Sequence, residues 1–224
     1  MTARAAPPRQ RSQRGEIMKH YGLYSLAFSL LFALPLRASA SEASTEQTPI
    51  AFLKMHDEQV NELLKNAPTD SLSPALQDLI KDRINAAFDF SELSKLALGA
   101  YWQERTPEQQ AHFINTFSGI IREQNFDSFL RYYREGNISY VGEKIKEDRA
   151  TVTASVPLER ETVTISYGLH KRENQWRVYD LTIDGASTAE GNRRRYERYI
   201  KKKSYEQLIA QLDKQLARLL ESKK

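Results

Sequence analysis

None of the 224 residues is cysteine. The fold therefore has no disulfide, and thiolate nucleophiles, thiolate metal sites and redox switching are excluded. Histidine is scarce: beyond residue 40 only His56, His112 and His170 occur, and none stands in a metal-ligand spacing such as H-E-x-x-H. A surface or satisfied core position is the expectation for each. The chain also lacks a G-x-S-x-G elbow, a Walker loop, a dinucleotide fingerprint and any internal repeat. The apolar run Tyr21 to Leu36 has 16 residues, short of the roughly 20 needed for a helix to span a bilayer.

That run instead has the layout of an export signal. Lys19 leads into it after Met18, and Arg37-Ala38-Ser39-Ala40 closes it with the A-x-A pattern, so cleavage is expected after Ala40. Residues before Met18 are rich in Arg and Pro and fit either an extended positive lead or a start at Met18 rather than Met1. Residues 1–40 hold six of the 33 basic residues and one of the 29 acidic ones, so the rest keeps 27 and 28 and a net charge of −1. The high isoelectric point belongs largely to the signal segment, and nucleic-acid binding loses its main support. The expected organisation is a signal peptide over 1–40, a polar linker over 41–48 and a single domain over 49–224.

Periodicity then places the elements. Phe52, Leu53, His56, Val60, Leu63 and Leu64 share one side of a helix over Ile50 to Lys65. Ser73-Pro74 opens a second helix, and Asp89 with Glu92 at capping-box spacing opens a third, carrying Leu93, Leu96 and Leu98 up to Gly99. Thr106-Pro107-Glu108-Gln109 starts a long one. Its apolar residues form two stripes, Phe113, Phe117, Ile120 and Ile121 on one side and Phe126, Phe129, Leu130 and Tyr133 roughly opposite, which predicts either a bend near 122–125 or burial on two faces. From Asn137 the period becomes two, through Val152, Ala154, Val156 and Leu158, then Val163, Ile165, Tyr167 and Leu169, then Trp176 to Asp184. Three or four such strands make an antiparallel meander. Ser204 with Gln207 opens a last helix bearing Leu208, Ile209, Leu212, Leu216, Leu219 and Leu220. The fold class is α+β, with helices packed on one face of a curved antiparallel sheet of about four strands.

Two features carry candidate chemistry. Asp180 and Asp184 lie four apart on one strand and so point to one face, where they could serve as acid and base, although a turn at Asp184-Gly185 is the stronger reading. Arg193, Arg194, Arg195, Arg198, Lys201, Lys202 and Lys203 face only Glu197, a local charge of +6, while 41–192 hold about −8. Tyr196, Tyr199 and Ile200 between them suggest a helical turn or two, and the strip suits anionic headgroups, an acidic partner surface or plain solvation.

Three blocks resemble a known family. Leu96-Ala97-Leu98-Gly99-Ala100-Tyr101-Trp102 with Thr106-Pro107-Glu108-Gln109, Phe113 and Phe117 is the first. Trp176-Arg177-Val178-Tyr179-Asp180-Leu181 with Asp184-Gly185-Ala186-Ser187 is the second, and Ser204 to Ile209 with Leu212 the third. In this order they resemble the MlaC, or toluene-tolerance, family of periplasmic phospholipid carriers. The resemblance implies a soluble periplasmic shuttle without cofactor, metal or covalent chemistry. It receives phospholipid from an outer-membrane lipoprotein–porin complex and exchanges it with an inner-membrane ABC transporter bearing a lipid-binding hexamer, maintaining outer-membrane lipid asymmetry. It also implies an apolar lipid pocket between sheet and helices. The wall is then expected from Val152, Ala154, Val156, Ile165, Tyr167, Leu169 and Val178, and the helical side from Tyr101, Phe113, Phe117 and Ile121. Arg193 to Lys203 is expected to contact a partner or headgroup, and is more basic than the family usually shows there. The competing expectation is a cone-shaped pocket enzyme resembling the nuclear-transport-factor-like isomerases and hydrolases, using Asp180 and Tyr101.

Overall fold

Each helix begins where a short polar side chain can take up a free backbone N–H. In this computed structural model, which describes residues 47–68 and 71–222, Thr48 caps α1 (Pro49–Lys65) and Ser73 caps α2 (Pro74–Asn85), both with proline in the first turn. Asp89 caps α3 (Phe90–Leu98), which runs on into a short 3-10 turn over Gly99–Trp102. Thr106 and Gln109 form the full reciprocal capping box of α4 (Pro107–Glu135). Ser187 caps α5 (Thr188–Lys202) and Ser204 caps α6 (Tyr205–Glu221). The predicted signal segment, its cleavage site and the linker up to residue 46 lie outside the described residues.

Between α4 and α5 the chain forms a sheet: β1 (Ser139–Lys146), β2 (Arg149–Pro157), β3 (Thr162–Arg172), β4 (Gln175–Ile183) and the two-residue β5 (Ala186–Ser187). All pairs are antiparallel and the order is sequential, β1-β2-β3-β4-β5, so the sheet is an open meander with one more strand than the four expected. Ala150, Val152, Ala154 and Val156 of β2 and Val163, Ile165, Tyr167 and Leu169 of β3 are buried, while the residues between them are exposed or half-buried. One face therefore meets the helices and the other meets solvent.

The two stripes of α4 serve two cores. Phe113, Phe117 and Ile120 cluster with Leu93, Ala97, Trp102, Tyr196, Tyr205 and Leu208, that is, with α3, α5 and α6. Phe126 clusters with Val60 of α1 and Ile80 and Ile84 of α2, and Phe129 bridges that group to the sheet core. Burial on two faces is thus how the long helix keeps both halves out of water.

Strand β4 carries one irregularity. Gly168 pairs with Asp180 but Leu169 pairs with Val178, leaving Tyr179 as the extra residue of a bulge. The buried side shifts phase there, from Trp176 and Val178 to Leu181. Gly168 makes room for it, since a Cβ would sit 3.0 Å from the Tyr179 ring.

Candidate functional site

The seam between α1, α2 and α4 on one side and the sheet on the other is an enclosed apolar interior. It holds two small cavities, of about 10 Å³ and about 20 Å³, that share Ile84, Phe88 and Phe129 in their walls. Phe88 is placed there by backbone pairing, because Asp89 N–H donates to the Val178 carbonyl (2.8 Å) and Val178 N–H to the Ala87 carbonyl (2.9 Å). The segment joining α2 to α3 is thus stitched to β4, and its phenylalanine turns into the seam. Each space is of the order of one water molecule, far below the roughly 300–1,000 Å³ of a ligand pocket. The seam is closed in this conformation.

Each cavity has a polar end. At the first, Lys81 Nζ meets Glu123 Oε2 at 2.8 Å and Asp78 Oδ1 at 3.3 Å, and lies over the Phe126 ring. Arg122 beside it pairs with Asp82, so α2 and α4 are tied by two layers of ion pairs. At the second, Tyr140 Oη donates to Asp57 Oδ2 (2.5 Å) and Tyr133 Oη to Asp57 Oδ1 (2.7 Å), joining α1 to β1 and α4. Burial raises the Asp57 carboxyl above its ordinary value, and the two tyrosine hydroxyls pull the other way. The phenols of Tyr133 and Tyr140 are themselves held protonated by burial and by that carboxylate. The same three residues also line an open polar cleft of about 430 Å³.

His56 departs from the expectation of a satisfied core histidine. It is buried among Phe52, Leu53 and the second cavity, and neither ring nitrogen has a hydrogen-bond partner. Burial lowers its pKa, and the charge of Arg177 adds to the effect. The other two are partnered: His112 Nε2 lies 3.0 Å from Asp213, and His170 Nε2 lies 3.1 Å from Asp89.

Among the sequence-predicted pocket residues, Tyr167 and Val178 line the second cavity and Ile121 the first. Val152, Ala154, Val156, Ile165 and Leu169 lie on the same buried face of the sheet without lining either. Phe113, Phe117 and Tyr101 lie in a different cluster. Phe113 and Phe117 stack on each other, ring centroids 5.6 Å apart, with the Tyr196 ring edge-on to both, and Tyr101 packs against that cluster. They belong to the α3–α4–α5–α6 core because α4 turns this stripe away from the sheet. Phe126 and Phe129, on the opposite stripe, line the cavities of the seam. Ile84 and Phe88 join them from positions that carried no periodic signal.

The paired carboxylates take the structural roles that were the stronger expectation, a turn at Asp184-Gly185 and local hydrogen bonds at Asp180. The bulge at Tyr179 moves Asp180 out of the core-facing phase, and its carboxylate accepts from Ser187 Oγ (2.6 Å), Ala189 N–H (2.9 Å) and Leu181 N–H (2.9 Å). It thereby anchors the start of α5. Asp184 lies past the strand with φ of 47° and accepts from Thr164 N–H. Asp180 lines an open cleft of about 590 Å³ together with Leu96, Trp102, Ala189 and Arg193, and Tyr101 is not part of its wall. The basic strip forms part of a 15-residue helix rather than a turn or two. Tyr196 is buried beneath it, and the seven basic residues are exposed. Arg193 and Arg194 reach Glu190.

Among the described residues no helix is long and apolar enough to cross a membrane, and no cluster of His, Asp or Glu could hold a metal ion. The sequence model described as MlaC protein matches residues 54–214. Among solved structures, the fold matches a phospholipid-binding protein from Ralstonia solanacearum determined in complex with a phospholipid, with a TM-score of 0.66 and 23% identity over 78% of this chain and 98% of that one. No curated protein matches.

Proposed function

From membership of the MlaC family, to which this chain belongs, we propose that it is a soluble periplasmic phospholipid carrier that binds the acyl chains of its cargo in the seam between α1, α2, α4 and the sheet. The observation that carries the reading is the pair of adjoining apolar cavities in that seam, within a fold shared with a phospholipid-binding protein. Hiding acyl chains from water contributes about 0.8 kcal/mol per CH₂, which an apolar seam supplies without catalytic groups. The cavities are too small for a lipid as they stand, so loading requires α1 and α2 to draw away from α4. The charged and hydroxyl ties at the two ends, Lys81 with Glu123 and Asp57 with Tyr133 and Tyr140, hold that closed state.

Cargo passes between an outer-membrane lipoprotein–porin complex and an inner-membrane ABC transporter with a lipid-binding hexamer, which maintains lipid asymmetry. The exposed cations of α5, Arg193 to Lys203, serve as the docking surface in these exchanges, where weak and partly electrostatic association lets the carrier leave again. Native mass spectrometry of protein taken untreated from the periplasm tests the reading. A phospholipid-sized adduct near one per chain is expected; no adduct together with no uptake from vesicles would refute it.

A further inference from the structure

We propose that His56 is the polar contact point of the acyl-chain site, donating a ring N–H to an ester carbonyl of the bound glycerophospholipid, so that the site prefers ester-linked to ether-linked chains. This rests on the phospholipid-binding reading and adds a specificity-determining residue to it.

The geometry is that of a group waiting for a ligand. His56 is 9% exposed, lines the cavity of about 20 Å³, and has both ring nitrogens without a partner. Buried polar groups are overwhelmingly hydrogen-bonded, because an orphaned one forfeits its hydration without return. Ser94 Oγ is the other such side-chain atom among the described residues, and it lines neither cavity. The His56 ring is held edge-on to Phe52, with centroids 4.7 Å apart, so its nitrogens are directed rather than free to swing.

The surroundings decide what the ring can accept as partner. Burial and the charges of Arg177 and Arg83 keep it neutral, leaving one N–H donor and one lone pair; the Arg83 backbone acts in the opposite direction without reaching hydrogen-bond geometry. A neutral imidazole brings no charge to compensate a buried phosphate, and the cavity that it lines contains the Asp57 carboxyl but neither arginine. An uncharged acceptor fits. In a glycerophospholipid that acceptor is the ester carbonyl, which sits where the acyl chain meets the glycerol and is absent from an ether lipid.

The test offers the lipid-stripped full chain a diacyl phosphatidylethanolamine and its dialkyl ether analogue of equal chain length, in competition, with loading read by native mass spectrometry. The wild type is expected to favour the ester lipid roughly fivefold, the worth of one hydrogen bond, and His56→Phe, which keeps the ring contact with Phe52, to load the two equally. Equal loading by the wild type overturns the proposal and leaves phospholipid binding standing. Loading of neither overturns both. A preference that survives in His56→Phe assigns the ester contact elsewhere and overturns the proposal. Should that variant fail to fold, the imidazole ¹⁵N resonances of wild-type His56 give the answer: they shift with ester but not ether lipid, and unchanged resonances overturn it.

Discussion

Lys81 Nζ lies 2.8 Å from Glu123 Oε2, with the two side chains 4% and 5% exposed. This pair joins α2 to α4 at the polar end of the first cavity, where it closes the seam. Removing one partner of a buried pair strands the other charge, whereas replacing both by apolar residues of similar size is often neutral. Lys81 keeps Asp78 at 3.3 Å, so Glu123→Ala is expected to cost about 2 kcal/mol in urea unfolding, below the roughly 3 kcal/mol of a fully stranded charge, and Lys81→Met with Glu123→Leu together less still. Additive losses in the double variant would show that the pair is not the tie described.

Asp57 holds Tyr133 and Tyr140 at the other end of the seam. Asp57→Ala leaves two half-buried hydroxyls without their acceptor and is expected to cost about 1 kcal/mol. It should also speed lipid exchange with vesicles, because α1 is then freed from α4 and β1. A destabilised variant with an unchanged exchange rate would remove this cluster from the gating of the seam.

The pH response has a definite sign. His56 has its folded pKa below the ordinary 6.5, so the unfolded chain takes up a proton first, and stability falls as pH drops below 6.5. Asp57 has its folded pKa above the ordinary 3.8, so it opposes that loss in the window just above 3.8. Between pH 7.5 and 5.5 the melting temperature of the wild type is expected to fall more than that of His56→Phe. Parallel curves would show that His56 is not the group being titrated.

Asp180 accepts three hydrogen bonds where β4 hands over to α5. Asp180→Asn is expected to cost about 1 kcal/mol, as for a lost helix cap, while phospholipid loading stays at the wild-type level. Loss of biological activity with stability and loading intact would revive the enzymatic reading.

The exposed cations of α5 predict a salt-dependent docking step. Replacing Arg194, Arg198 and Lys202 by Glu is expected to slow lipid exchange with anionic vesicles more than tenfold at low ionic strength. The difference should shrink near 1 M salt, where charge interactions reach only about 3 Å. Occupancy of the purified protein should not change. An exchange rate indifferent to both charge and salt would leave α5 without a docking role.

Much of the fold was legible in local signals. The starts of α2, α4 and α6 follow from Ser73-Pro74, Thr106-Pro107 with Gln109, and Ser204 with Gln207, because capping is an interaction within one turn. The inward faces of β2 and β3 follow from strict alternation. Asp89 was readable as a cap, but its carboxylate also accepts from Arg172 (2.8 Å) and lies beside His170, contacts more than 80 residues away that no local pattern carries. Burial alone would raise that carboxyl; the Glu92 N–H and Arg172 outweigh it and hold the pKa below its ordinary value.

By itself, then, the sequence determined the α+β class, the buried faces and the place of the positive charge along Arg193 to Lys203, since composition and periodicity are properties of neighbouring residues. Only the tertiary structure decided which buried face meets which. It turned Phe113 and Phe117 toward Tyr196 and Phe126 and Phe129 toward the seam, because at roughly 100° per residue Phe126 stands on the opposite side of the helix from Phe117. It moved Asp180 out of the core through a single extra residue in β4, and it left the His56 ring buried without a partner. Each of these depends on a register or a packing angle, and such quantities exist only once distant segments are in contact.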